Sequence, residues 1–341
     1  MDLVMRVRAF AAIFATFFLS GCAIHPLPDD VTHVSTYNIV RQVRCETRQA
    51  IIQSLFNYVT SPENLRFDYL DQHSLEVGIR LKQAYDVDPD AITRFNPASL
   101  TGRARHIVGL LYHTGIAYNY DLQGLEINNI DPSATLIRPL PVTSLFTLGL
   151  TGNFDRQRQN QRFFTITDNF GGLITKVRSN YCTHSIVEAN YVYPIAGAVG
   201  MKKVISDFVL LTVFANLAGP SGSGTDVTKV SGPPTLVDQL QFQTTIGGAA
   251  TPAITFIPLG RALQVSQASL PFSASRKDTH QLTVGLYLDQ TGAKEIGSIR
   301  SGIFDGAYIT ASGGRAEQGA ARAVEQFLAL KIFRPSVVLG Q

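Results

Sequence analysis

Three cysteines, seven histidines and twenty-six carboxylates are the groups in this 341-residue chain that could do chemistry. Their spacing matches few of the arrangements chemistry needs. Cys45 and Cys182 have no second Cys or His at zinc-ligand spacing, and Cys182-Thr183-His184 carries no signature of a catalytic thiol. Gly219-Pro220-Ser221-Gly222-Ser223-Gly224 begins like a Walker A loop. Thr225 and Asp226 then stand where Lys and Ser or Thr must follow, and Asp226 would repel phosphate. The stretch reads as a linker, so no nucleotide is expected. Asp86-Val87-Asp88-Pro89-Asp90 begins like a calcium loop, but Ala91 replaces the required Gly and Pro97 the closing Glu. A helix cap or a solvated turn is the expectation. His106 and His113, seven apart, would share a face of a helix but point to opposite faces of a strand and read as two unrelated histidines, and His184 with Glu188 reads as a local helical contact. No catalytic residue, metal ligand or cofactor is assigned. Arg156, Arg158 and Arg162 lie on and just beyond a polar run, 155–160. They could meet an anionic partner, or simply keep a hairpin connection soluble.

The third cysteine is different. Residues 9–19 form an apolar run after Arg6 and Arg8, and Leu19-Ser20-Gly21-Cys22 closes it. As a helix the run spans roughly 16 Å, about half a bilayer core, which suits a cleaved export signal. The segment resembles the lipobox of bacterial lipoprotein precursors. That resemblance implies cleavage after residue 21 and acylation of Cys22 as the new N-terminus. With several acyl chains on one cysteine, the body would be held stably at a membrane. Ala23, in place of Asp at the following position, implies the periplasmic side of the outer membrane, with the inner membrane or cell surface as alternatives.

Export fixes the redox setting. In an oxidising periplasm Cys45 and Cys182 are a disulfide candidate, with two separate buried thiols as the alternative. Removing residues 1–21 takes Arg6, Arg8 and Asp2 from a chain of formal charge +3, leaving +2. A near-neutral surface argues against nucleic acid as a partner.

The patterning predicts an α+β body with antiparallel blocks and flanking helices. Residues 22–35 form a lipidated tether. Region 36–218 holds helices near 40–59 and 74–85, strands near 106–120, 122–128, 134–139, 144–154 and 162–168, and helices near 171–179 and 194–217. Its clearest predicted hairpin is Leu145 to Thr167, turning through the polar run 155–160. A Gly/Ser/Pro-rich loop, 219–234, precedes a second β-rich region, 235–341. That region holds strands near 236–246, 252–258, 262–274 and 280–288, a last strand within 297–311, and a C-terminal helix near 315–330. Ala134 to Leu140 lines up with Ala253 to Leu259, which suggests an internal duplication. Thr147-Leu148-Gly149-Leu150-Thr151 alternates as membrane-barrel strands do. Most segments look shorter than the 9–11 residues such strands need, so a soluble α+β body is preferred.

Three functions fit. The first is an envelope protein, tethered to the membrane by lipid, that works with protein partners in assembly or secretion. The second is a tethered hydrolase, which requires a cleft where Ser or Cys, His and a carboxylate meet. The third is a lipid or small-ligand carrier, which requires an apolar cavity between sheet and helices.

Overall fold

A computed structural model describes residues 26–27, 30, 34–67, 69–141, 144–183, 194–215, 217, 219–220, 230–256, 262–288 and 315–332. Cys22, His184, Glu188, the predicted strand within 297–311 and most of the Walker-like run lie outside them.

Helix α1 (Thr36–Val59) starts where the Ser35 side chain accepts the Asn38 N–H, and it buries Ile39, Val43, Ile52, Phe56 and Val59 along one stripe. Pro62 opens the short α2 (Pro62–Arg66). Helix α3 (Gln72–Val87) is capped by Asp71, which accepts the Ser74 N–H. Helix α4 (Gly102–Tyr112) corrects the sequence expectation of a strand over 106–120. Ala104, Ile107, Val108 and Leu111 recur at helical spacing, and the strand begins only at Thr114.

The chain then runs through β1 (Thr114–Ile130), β2 (Ser133–Pro139), β3 (Leu145–Thr151) and β4 (Phe154–Asn169). Short helices α5 (Phe170–Lys176) and α6 (Ser179–Thr183) follow, then α7 (Met201–Phe214). Strands β5 (Gly219–Pro220) and β6 (Val230–Gly232) pair across the ends of the Gly/Ser/Pro-rich loop. A second run repeats the first: β7 (Thr235–Ala250), β8 (Ala253–Thr255), β9 (Gln264–Ser269) and β10 (Phe272–Leu288). The last described element is α8 (Arg315–Ile332). The α+β class is as predicted. No described helix is long and apolar enough to cross a membrane.

Two four-stranded sheets result, ordered β4-β1-β10-β7 and β3-β2-β9-β8. The predicted hairpin across residues 155–160 does not exist. That run lies inside β4, while β3 pairs with β2. Its polarity on both sides reads as a loop, yet Arg156, Arg158 and Asn160 are half-buried and alternate with exposed Asp155, Gln157 and Gln159. Strands β1, β4, β7 and β10 of the first sheet are 16 or 17 residues long, whereas β3, β2, β9 and β8 of the second are seven, seven, six and three.

The two strand runs share one plan. The Gly152 N–H donates to the Pro132 carbonyl, and the Leu270 N–H to the Pro252 carbonyl. Ser133 and Ala253 both face Ser269 across β9. The structural match therefore pairs Ser133 with Ala253, one residue away from the sequence alignment that pairs Ala134 with Ala253.

Compact packing falls into two units that do not follow chain order. Of the described residues, one unit holds those within 26–27, 125–160 and 247–275, and the other holds those within 30–124, 161–246 and 276–332. In the second, Ile116, Tyr118, Tyr120 and Leu122 of β1, with Leu282, Val284 and Leu286 of β10, share a core with α1, α5 and α7. The opposite face takes α8, where Ala117 meets Ala320 and Val324. That approach is close. A Cβ on Gly115 would stand 2.3 Å from the Ala316 carbonyl, and one on Gly285 would stand 2.7 Å from that of Ala320.

Candidate functional site

The sheet β3-β2-β9-β8 lies wholly in the first unit, and its two faces differ in kind. Residues directly opposite in a ladder share a face. Leu150 pairs with Ala134, Leu148 with Leu136 and Phe146 with Arg138. Ala134 in turn pairs with Ala268, Leu136 with Val265, and Ile254 with Ala268. A register shift between Thr135 and Leu136 is what brings Val265 onto this face, as bulges do. The face is apolar except for Arg138. It is also uncovered: Phe146 is 46% exposed, Leu148 41%, Leu150 51%, Ile254 60% and Val265 40%.

The other face carries Ser133, Thr135, Thr147, Gly149, Thr151, Ala253, Thr255, Gln264, Gln267 and Ser269. It is polar and uncharged, with Ile137, Pro139 and Leu145 at one end. Phe154 and Phe272 open β4 and β10 with their rings exposed, and Phe256 is exposed just past β8. A water-facing sheet puts apolar side chains on its covered side and polar ones outside. Here the apolar side is open as well as the polar one: every residue of β3 and β8 is exposed.

Charge is missing on a larger scale. Between Asp131 and Asp155 the only charged side chain is Arg138, and between Asp238 and Arg276 the only one is Arg261. These two runs hold every strand of this sheet. The signal stands in the sequence, but it emerges only when charge is read along whole strand pairs and not one segment at a time.

The arginines named from sequence all lie on β4. Arg158 pairs with Glu126 at 2.5 Å, and Arg162 donates to the Thr36 hydroxyl. Arg156 is half-buried and engaged. Arg158 and Arg162 thus each have a partner within the chain.

In the second unit Cys45 of α1 and Cys182 of α6 are joined by a disulfide, 5.6 Å apart at Cα. Neither sulfur is available as a thiolate nucleophile. Beside the bridge, Arg44 holds Asp168 through both guanidinium and carboxylate forks, at 2.8 Å each. Burial works against the charge on Arg44, but the hydrogen bonds and field of Asp168 outweigh it and hold its pKa above the ordinary value. Burial likewise pushes the Asp168 carboxyl up while Arg44 pulls it down. The two-pronged geometry is that of a carboxylate, so the pair is ionised. Arg41 donates to the Tyr181 carbonyl and lies over its ring. Glu46 accepts the N–H groups of Val199, Gly200 and Met201 at the start of α7. These are long-range ties that orient α1, α6 and α7.

The carboxylates of the calcium-like run are also in use. Asp86 pairs with Lys82, Asp88 caps a 3-10 turn by accepting the Asp90 N–H, and Asp90 accepts the Ser179 N–H. No group of His, Cys, Asp and Glu among the described residues could hold a metal ion. His280 is buried on β10, and burial together with Arg276 pulls its pKa to about 4. An apolar cavity lies among helices, lined by Ile51, Leu55, Leu111, Phe170, Ile205 and Val209. Its walls come from α1, α4, α5 and α7, not from sheet and helix together.

A family model described as "Uncharacterised protein y4kA" matches residues 25–296, which include both strand runs. The chain belongs to the Y4kA family. The protein y4kA of Sinorhizobium fredii is 29% identical over 283 residues, 82% of each chain. Among solved structures, the secretin InvG of the Salmonella type III secretion injectisome, in its open-gate state, aligns at 9% identity. That alignment covers 67% of this chain and 68% of the other, with a TM-score of 0.19. The InvG secretin-domain β-barrel aligns at 8% identity over 67% and 72%, with a TM-score of 0.17. Scores at that level establish no common fold. The Y4kA match takes in all of the uncharged sheet and ends before α8.

Proposed function

We propose that this chain is a bacterial envelope protein held at the outer membrane in two ways. One is the lipid on Cys22, and the other is the uncharged sheet set into the bilayer. Its role is that of a non-enzymatic component of an envelope assembly or secretion apparatus.

One observation carries the reading. The sheet β3-β2-β9-β8 exposes an apolar face of Phe146, Leu148, Leu150, Leu136, Ile254 and Val265, backed by a polar, uncharged one. Membrane β-strands alternate in this way, apolar toward lipid and polar toward an aqueous interior. Exposed runs without charge, Ser144 to Phe154 and Ile246 to Phe256, pass round the turns that join β3 to β4 and β7 to β8, so the uncharged surface includes those turns as well as the strands. Exposed phenylalanines near the ends of the strands match the aromatic girdles of such proteins. In water this surface would be an aggregation liability. In hydrocarbon it is the stable arrangement.

The hydrolase reading has less support, because both described cysteines are locked in the bridge and the described carboxylates named above cap, pair or tether. The carrier reading asks for a cavity between sheet and helices, whereas the observed one lies among helices.

The test removes the lipid anchor and keeps the sheet. Residues 1–22 are replaced by an export signal that is cleaved without acylation, and membranes are washed in alkaline carbonate. The chain is expected to stay in the membrane pellet. Release into the wash would show that the lipid alone holds it.

A further inference from the structure

We infer that the uncharged sheet is one sector of a ring built from copies of this chain, with β8 of one copy pairing antiparallel with β3 of the next. The inference rests on the membrane reading above and names its partner, a second copy.

The first reason is closure. Four strands cannot close on themselves, and the smallest membrane barrels have eight. A sheet left open in hydrocarbon exposes a row of unpaired N–H and C=O groups at each edge, and lipid satisfies neither. Lipid-exposed sheet edges therefore do not persist, and something must pair with β3 and β8.

The second reason is direction. Strand β3 runs antiparallel to β2, β2 to β9, and β9 to β8. The edges β3 and β8 thus run in opposite senses. A second copy in the same orientation continues the alternation without a break, and a head-to-tail joint of this kind closes into a ring when the rotation from copy to copy divides a full turn.

The third reason is that the joint already exists once inside the chain. The two strand runs share one plan, with β2 equivalent to β8 and β3 to β9. Strand β2, the outgoing strand of the first run, pairs with β9, the returning strand of the second. Pairing β8 with β3 of the next copy repeats that ladder between chains. The internal register of Ser133 on Ser269, Ala134 on Ala268 and Thr135 on Gln267 then maps onto Ala253 on Thr151, Ile254 on Leu150, and Thr255 on Gly149. This register keeps Ile254 and Leu150 together on the apolar face and Thr255 and Gly149 on the polar one. A slip of one residue would send each to the wrong side. The fourth reason is composition. Exposed edges are normally blunted by charge or proline, and β3 and β8 contain neither.

Cysteine pairs test the joint in the full chain in native membranes. Gly149 has open space around its missing Cβ, so a cysteine fits there. The double variant Gly149→Cys, Thr255→Cys is oxidised and run without reductant. A ladder at multiples of the chain mass, collapsed by reductant, is expected. Leu145→Cys with Thr255→Cys, displaced by about 13 Å along the strand, should give no ladder. No ladder from the first pair, with the unacylated chain retained in carbonate-washed membranes, overturns the ring and leaves the membrane reading standing. Release of the unacylated chain in that wash overturns both. Should the variants fail to accumulate, the mass of the wild-type chain in mild detergent decides: a monomer refutes the ring, and a defined multiple supports it.

Discussion

Placing one charge on either face of the uncharged sheet separates a lipid-facing surface from a water-facing one. Leu148 sits midway along β3, opposite Leu136 on the apolar face, and Thr147 sits next to it on the polar face, opposite Ile137. Leu148 is already 41% exposed and makes little of the core. If the sheet stood in water, Leu148→Arg and Thr147→Arg would both be surface changes, within about 0.5 kcal/mol of wild type. In a bilayer, arginine near the midplane on a lipid-facing strand costs about 2–4 kcal/mol. Leu148→Arg should therefore lower the equilibrium constant for folding into vesicles roughly 30- to 1000-fold relative to Thr147→Arg. The assay is denaturant titration of each purified variant in phospholipid vesicles, followed by protease protection of the strand region. Equal midpoints for the two arginine variants would refute the assignment of the apolar face to lipid, whatever their distance from wild type.

Four further outcomes follow from the second unit. Asp168→Asn leaves the Arg44 charge buried without its counter-ion and should lose about 3–5 kcal/mol, while the double variant Arg44→Met, Asp168→Leu should regain much of that. Denaturant midpoints check it, and a single-variant loss under about 1 kcal/mol would contradict the buried pair. His280 has its folded pKa lowered from 6.5 to about 4, so the unfolded chain takes up the proton first. Its contribution, about 3 kcal/mol, is complete above pH 6.5 and fades as pH falls toward 4. His280→Leu should flatten that limb of the stability profile, and an unchanged slope would exclude His280 as its source. Gly115→Val places a Cβ 2.3 Å from the Ala316 carbonyl and should loosen α8. The readout is faster proteolysis within 315–332. Gly109→Ala, in a helix with open space beside it, should instead stabilise by up to about 1 kcal/mol.

Local pattern alone predicts helices near α1, α3, α7 and α8 and the α+β class, because apolar spacing of three and four residues survives without knowledge of neighbours. It also predicts the export segment at Cys22, whose chemistry depends only on adjacent residues. Tertiary structure decides the rest. The run 155–160 is a strand because its half-buried side, bearing Arg158, finds Glu126 in another strand, and no local rule signals that. Arg44 meets Asp168 across 124 positions, and Glu46 caps a helix that begins 155 positions later. The face of the uncharged sheet is the clearest case. Sequence shows that Leu148 alternates with Thr147, which is compatible with any half-buried strand. Only the ladders, by stacking Leu150, Ala134, Ala268 and Ile254 on one open side, show that the apolar face has no cover from its own unit, because a residue's surroundings are set by what pairs beside it.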